Sequence, residues 1–132
     1  MLGELIAEST GKRIVRRVLS TDPLKVEVSF EDSGTMLGTP TTGFGTYTAV
    51  GRADGSLHGE GEGASATADG EFITWKGTAQ GKFLPGGAIS YRGILFFRTA
   101  SQKLAHLNTV PGVFEYDVDP EGKTHSKVWE WK

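Results

Sequence analysis

Three side chains on one predicted strand, His58, Glu60 and Glu62, have the types and the spacing that a metal site needs. Side chains alternate along a strand, so residues two positions apart share a face and lie about 6.5–7 Å apart. One imidazole and two carboxylates would suit zinc, iron or manganese. The same pattern is typical of a solvated polar face. We favour that interpretation and expect no resident metal or other cofactor.

A second group, Tyr91, Arg92 and Arg98, lies in the most apolar segment of the chain. An arginine among apolar residues needs an acceptor, because burying an unpaired charge is costly. One interpretation is a structural ion pair. The acceptor would then be a carboxylate of Glu60, Glu62, Glu115 or Asp117.

The alternative acceptor for these arginines is a ligand. The planar guanidinium group matches the geometry of a carboxylate, so arginine suits an acidic ligand. Aromatic residues nearby in the pattern would supply apolar walls, and a few polar groups would fix the ligand's orientation. The predicted ligand-binding set is Trp75, Tyr91, Arg92, Phe97, Arg98 and Tyr116.

Catalysis on the same scaffold would need groups that stabilise charge as it develops in the transition state. The candidates for that role are Glu60, Tyr91 and Arg92. No arrangement of serine, histidine and aspartate suggests a nucleophile, so we favour binding over catalysis.

The elements that must position these residues are strands. The 132 residues include 19 glycines and five prolines, and Asp-Gly pairs at 54–55 and 69–70 are strong hairpin signals. Between the turns, apolar and polar residues alternate with period two, as in half-buried strands. The clearest alternating segments are 24–32, 72–83, 89–99 and 112–118, and the last segment, 125–131, carries Trp129 and Trp131.

This pattern predicts one all-β domain over residues 1–132: an antiparallel meander closed into a small barrel of eight or nine strands. Closure is favoured because it removes exposed strand edges. One short helix is expected near 100–107, within "TASQKLAHLN", where Leu104 and Leu107 would share a side. We expect it to pack over one end of the barrel or along its wall.

Glycines at 59, 61 and 63 leave one face of a predicted strand bare. Glycine weakens a strand, so a repeated glycine face needs a reason. The Asp69-Gly70 hairpin makes the next strand a neighbour, and Trp75 on that strand is the large ring that the bare positions could receive. The glycines then serve curvature and close packing, or alternatively hollow out a cavity for a ligand.

Charge and motif content argue against nucleic acid as a partner. The net charge is −2, and "KRIVRR" at 12–17, taken as a regular strand, puts Lys12 and Arg16 on one face and Arg13 and Arg17 on the other. "GFGTYT" at 43–48 lacks the basic residue that precedes an RNA-binding strand. We expect neither a nucleic acid nor a membrane partner.

Compartment signals are sparse. There is no cysteine, which excludes disulfides and thiolate sites and fits a reducing cytoplasm, so we predict a cytoplasmic protein. The first ten residues have no basic region before an apolar one, so we expect no signal peptide. The apolar run "ILFF" at 94–97 is far shorter than the roughly 18 residues of a membrane helix.

The ordered pattern "TWKG…YRG…FFRTAS…L…LN…GVFEY", within residues 42–132, resembles a group of small uncharacterised bacterial and archaeal proteins. That group is distantly similar to allene-oxide-cyclase-like barrels. The resemblance implies an eight-stranded antiparallel barrel, a class often found as oligomers. The plant cyclases act on an unstable fatty-acid epoxide in an apolar barrel. A fold hosts many activities, so none of their functional residues is carried over.

Three functions therefore compete. The first is a barrel that binds a small apolar or amphipathic molecule, with an acidic group as one option. The second is a cyclase or isomerase on the same barrel, and the third is a filled barrel that serves as a structural module and forms oligomers. The volume of an internal cavity distinguishes the filled structural module from the binding barrel and the enzyme. We also expect the protein to form a homo-oligomer.

Overall fold

In the computed structural model, which describes residues 1–132, eight antiparallel strands close into a barrel. Each strand pairs with the next along the chain, and the last pairs with the first. The strands are β1 (Leu2–Thr21), β2 (Leu24–Met36), β3 (Thr39–Gly51), β4 (Leu57–Thr67), β5 (Phe72–Phe83), β6 (Ile89–Thr99), β7 (Pro111–Val118) and β8 (Lys123–Trp131).

The predicted all-β meander barrel is thus confirmed, with eight strands. The two Asp-Gly hairpins also form where the sequence indicates. Gly55 and Gly70 have φ values of 87° and 85°, which L side chains rarely adopt. The amide of Gly70 donates to the carbonyl of Thr67 at 3.1 Å, which closes the turn between β4 and β5.

The short helix expected near 100–107 is instead a 3₁₀ turn at Ala105–Thr109, within the connection between the end of β6 at Thr99 and the start of β7 at Pro111. A second 3₁₀ turn spans Pro85–Gly87. The buried Leu104 and Leu107 pack in one cluster with barrel residues such as Ile73. The turn therefore forms a plug over one end of the barrel, as the sequence pattern predicts.

Two apolar clusters fill the two ends of the interior. The plug-end cluster contains Ile6, Ala7, Met36, Ile73, Leu95, Phe97, Leu104, Leu107 and Val128. The tyrosine-end cluster contains Ala49, Leu57, Ala79, Tyr91, Tyr116 and Val118. Phe114 packs against both clusters, so the space between them is where an internal site has room.

The second half of β1 extends beyond the closed wall. The pairing of β1 with β8 ends at Lys12 opposite Lys123, whereas its pairing with β2 continues to Thr21 opposite Leu24. A bulge interrupts the register between Arg13 and Val15. This half of β1 exposes several large apolar side chains, namely Ile14, Val15, Val18 and Leu19. None of the helical segments is long and apolar enough to span a bilayer.

Candidate functional site

A cavity of about 100 Å³ lies inside the barrel between the two apolar clusters. Its walls are mainly aromatic and small residues, with a few polar groups. The aromatic lining residues are Phe30, Tyr47, Trp75, Tyr91, Phe97, Phe114 and Tyr116. The polar lining residues with inward positions include Ser9, Asp32, Thr41, Ser65 and Ser126.

The bare face of β4 points inward and receives the large rings. A Cβ atom added to Gly63 would lie 2.6 Å from the ring of Trp75. A Cβ added to Gly59 would lie 3.3 Å from Tyr91, and Gly81 on β5 is tighter still, at 2.6 Å from the same ring. The predicted packing of Trp75 against the glycine face is confirmed. These glycines let rings cross the interior while leaving space between them.

Three tyrosines form a triangle in the interior. The ring centroids of Tyr47, Tyr91 and Tyr116 are 5.6, 5.8 and 6.0 Å apart in pairs. Phe30 extends the cluster, with its centroid 5.5 Å from that of Tyr116 and 6.2 Å from that of Trp75. Such edge and tilted arrangements are the favourable geometries for aromatic pairs.

The hydroxyl of Tyr116 is the one buried side-chain polar atom without a hydrogen-bond partner. Tyr116 is only 9% exposed, so water does not freely replace that partner. Burial raises the pKa values of Tyr47, Tyr91 and Tyr116 above the usual value for tyrosine. The hydroxyls therefore keep their protons at neutral pH. The hydroxyls of Tyr47 and Tyr116 lie close enough to affect each other's pKa, but the Tyr116 hydroxyl makes no hydrogen bond of normal geometry.

Asp32 is the charged residue of β2 whose side chain faces the cavity. It is half-buried, and its strand neighbours are Gly11 on β1 and Gly43 on β3. The hydroxyl of Ser9 donates to its Oδ2 at 3.1 Å. Desolvation raises the pKa of Asp32 above the usual aspartate value, and the bond from Ser9 acts against that rise.

The sequence predictions did not include Asp32, Tyr47 or Phe30 in the site. The alternation in 24–32 could have indicated Asp32. Val26, Val28 and Phe30 share the inner face of β2, and residue 32 is the next position on that face. Tyr47 lies opposite Val28 and Gly61, so the glycine face of β4 also indicates it.

The structure brings together four members of the predicted ligand-binding set and separates the other two. Trp75, Tyr91, Phe97 and Tyr116 line the cavity. Arg92 lies on the outer face, where its guanidinium is 2.9 Å from Asp117 and 3.6 Å from Glu115. Arg92 and Arg98 cannot join the internal residues. Side chains alternate along β6, so these two arginines lie on the opposite face from Tyr91 and Phe97.

Arg98 is also exposed on the outer face, where it lines a shallow groove with Phe44 and Phe96. Its strand neighbour on β5 is Thr74. The expectation that Arg92 and Arg98 share one pocket with the aromatic set is therefore corrected, whereas the structural ion pair expected for Arg92 is present.

The metal candidates are split between two surface pairs. His58 Nε2 lies 3.1 Å from Glu60 Oε1, whereas Glu62 is 3.8 Å from the Lys76 ammonium group. The structure contains no cluster of three or more metal-ligating side chains. Of the three catalytic candidates, Glu60 and Arg92 carry exposed side chains, and Tyr91 alone has its ring inside.

One further inward carboxylate lies at the plug end. Glu130 has a side chain that is 8% exposed, and its Oε2 is 2.7 Å from Nε2 of His106 in the 3₁₀ turn. The hydrogen bond from His106 lowers the pKa of Glu130. This pair attaches the plug to β8, so we assign it to the closure of the barrel rather than to the cavity.

Comparison with known proteins supports the fold and leaves the function open. No protein-family model matches the chain, and no curated protein matches it. A protein of unknown function from Clostridium acetobutylicum has a similar structure, with a TM-score of 0.85 and 15% identity over 98% of this chain and 99% of that one.

Two further solved structures have the same architecture. A β-barrel-like protein from Acinetobacter baumannii has a TM-score of 0.77 and 14% identity, covering 100% of this chain and 96% of that one. An enzyme from Penicillium herquei has a TM-score of 0.70 and 17% identity, covering 96% and 92%. At these identities the likeness shows a shared small-barrel fold, found in uncharacterised proteins and in one enzyme.

Proposed function

We propose that the barrel binds a small aromatic or amphipathic molecule in its interior. The observation that carries the proposal is the unpartnered hydroxyl of Tyr116 beside an aromatic cavity. A buried polar group without a partner costs free energy, so a ligand that accepts a hydrogen bond there would recover it. The space between the two clusters favours a binding barrel over a completely filled structural module.

The size of the cavity limits the ligand. An apolar cavity of about 150 Å³ is known to admit benzene, whereas sites for drug-sized ligands occupy about 300–1,000 Å³. The present cavity of about 100 Å³ is smaller than both, so it suits a short chain or part of a ring, and a whole ring requires the lining side chains to move. Any larger ligand would extend out of the cavity toward one end of the barrel.

A cavity-filling variant tests this site. Ala79 is buried and lines the cavity, so Ala79→Leu should occupy much of the space. We expect 3-phenylpropanamide, a neutral probe with one ring and one acceptor, to bind the wild type and to lose at least tenfold affinity in the variant. Ala66→Leu, on the outer face opposite Phe72, is the matched control. Equal binding by both variants would place the probe outside the cavity.

A second candidate function is proton transfer within the same cavity. The half-buried Asp32 has a raised pKa beside an apolar space, an environment that tunes carboxyl groups for acid–base work. The distant resemblance to allene-oxide-cyclase-like barrels points to a cyclase or isomerase as the reaction class, and the Penicillium herquei protein is an enzyme with a similar fold. Tyr116 would then hold the carbonyl oxygen of the substrate.

Deuterium exchange at the α-carbon of phenylacetone in D₂O tests the second candidate. The wild type should speed the exchange, and Asp32→Asn should remove the effect, because an amide does not accept the α-proton as a carboxylate does. A wild-type rate equal to that of the buffer would contradict it.

We also propose that the chain forms homo-oligomers through the second half of β1. From Ile14 to Thr21 one edge of β1 has no partner strand, and apolar side chains lie on both faces. Free edges of this kind readily pair with another chain. The cytoplasmic location stays a prediction, based on the absence of cysteine.

A further inference from the structure

The bulge in β1 changes which arginines face the interior. Arg13 lies opposite Phe30 and, after the register shift, Arg16 lies opposite Val28. Residues directly opposite each other in an antiparallel pair have their side chains on the same face. Phe30 and Val28 are buried inward residues, so Arg13 and Arg16 both occupy inner-face positions. A regular strand would place them on opposite faces.

The other two basic residues of "KRIVRR" take the outer face and have carboxylate partners. Arg17 lies 3.0 Å from Glu27, and Lys12 lies 3.8 Å from Glu31. Arg13 and Arg16 make no salt bridge, and their guanidinium groups donate no hydrogen bond to the protein. Two unpaired guanidinium groups on one inner face therefore have their donors free.

These arginines lie at the rim of the barrel at its tyrosine end, where Arg13 is half-buried and Arg16 is exposed, and neither lines the cavity itself. Along β1 the inner positions run from Ile6 in the plug-end cluster, past Ser9, to Arg13 and Arg16. Burial raises the pKa of Tyr47, and the positive charges of both arginines act against that rise because they lie near the ring.

Gly122, in the turn between β7 and β8, leaves space for Arg13. A Cβ atom at Gly122 would lie 3.2 Å from Nε of Arg13, and the amide of Arg13 donates to the Gly122 carbonyl at 2.9 Å. The guanidinium group is thus held at the rim of the barrel. A ligand that reaches from the cavity to this rim would meet it.

We propose that the ligand is an amphipathic carboxylic acid, with its ring or chain among the tyrosines and its carboxylate bound by Arg13 and Arg16. This inference rests on the proposed internal site and adds the charge of the ligand. Guanidinium groups form paired, charge-assisted hydrogen bonds with carboxylates. Asp32 is the next inward-facing residue of β2 after Phe30, farther from the arginines. Its negative charge repels the ligand's carboxylate and so favours the orientation in which the carboxylate lies at Arg13 and Arg16.

A pair of probes of one shape and different charge tests the inference. At neutral pH, 3-phenylpropanoate should bind the wild type roughly tenfold or more tightly than 3-phenylpropanamide, which corresponds to at least 1.4 kcal/mol. Dissociation constants from NMR titration suffice for the comparison. The variant Arg13→Gln/Arg16→Gln should lose that preference and keep its affinity for the amide.

Arg17→Gln is the matched control, because it removes the same charge from the same strand on the outer face. It should retain most of the preference for the carboxylate. Equal affinities for the two probes in the wild type would overturn the inference and leave the internal site standing. The single variants Arg13→Gln and Arg16→Gln provide the second comparison. If Arg17→Gln loses as much preference for the carboxylate as each of them, the inference is likewise overturned. Failure of both probes to bind would overturn the internal site as well.

Discussion

At the scale of single residues, the interior combines groups that are costly to bury with a space that could hold their missing partner. Tyr116 has a hydroxyl without an acceptor, and Asp32 has a carboxyl group that only Ser9 is seen to contact. Well-packed structural interiors seldom keep such groups. Their position at one cavity is what distinguishes this barrel from a filled one.

Removal of the Tyr116 hydroxyl should therefore not weaken the fold. We expect Tyr116→Phe to leave the free energy of unfolding unchanged or to raise it by up to about 1 kcal/mol, because a buried group without a partner disappears. Urea unfolding measures this directly. A loss of more than about 1 kcal/mol would show that the hydroxyl has a partner within the protein.

Asp32 should make stability depend on pH in a defined direction. Its pKa is higher in the folded protein than the usual value of 3.8, so the fold favours the protonated acid. The stability that Asp32 contributes is thus greatest below pH 4 and falls as the pH rises through its folded pKa. We expect Asp32→Asn to be more stable than the wild type at pH 7.

The same comparison at low pH provides the control for this prediction. Well below pH 3.8 the carboxyl is protonated in both the folded and the unfolded state, so the advantage of Asp32→Asn should largely vanish. Urea unfolding of both proteins at the two pH values measures the difference. An Asp32→Asn protein that is less stable at pH 7 would show that the carboxylate is stabilised by a partner.

At the scale of elements, the two-residue alternation predicts most of the inner face, and the exceptions lie on β1, where register shifts interrupt its pairing with β2 and β8. Trp75 and Tyr116 occupy inner positions that period two indicates directly from the sequence. The same rule separates Arg92 from them, since neighbouring residues on a strand point to opposite faces. Arg16 could not be placed in this way, because a bulge is a property of strand pairing and leaves little trace in one strand's pattern.

The glycine face of β4 gives a prediction at this scale. An added Cβ at Gly63 would lie 2.6 Å from the Trp75 ring, so Gly63→Ala should destabilise the protein by roughly 1–3 kcal/mol. In Gly51→Ala, the control on β3, the new Cβ has an ordinary 3.5 Å contact with Leu24 and should cost little. Urea unfolding followed by far-ultraviolet circular dichroism measures both. Equal losses would mean that strand propensity, not ring packing, selects glycine.

At the scale of the whole molecule, the barrel fold can be predicted from the turn signals and the two-residue hydrophobic repeat of the sequence, whereas the function cannot. Eight strands that pair in chain order are joined mostly by short hairpins, of which Gly55 and Gly70 identify two, and by one longer connection between β6 and β7 that carries the plug. The size of the cavity depends on how far Tyr47 and Tyr91 interpenetrate, which no local pattern specifies. Similar barrels at 14–17% identity share the architecture without indicating one activity.

Self-association is the other prediction that belongs to the whole molecule. We expect native mass spectrometry to find multiples of the 14.2 kDa chain. The variant Val15→Lys/Val18→Lys should shift the protein to monomers, because it adds charge to both faces of the unpaired half of β1. A wild type that is monomeric at micromolar concentration would contradict the proposed contact.

The internal ligand site is tested most directly by mapping where a probe binds. In a ¹H–¹³C NMR titration with 3-phenylpropanamide, the aromatic signals of Tyr47, Tyr91 and Tyr116 should shift together and saturate with one dissociation constant. Shifts confined to Phe44 and Phe96, which line the outer groove, would place the probe on the surface and contradict the account.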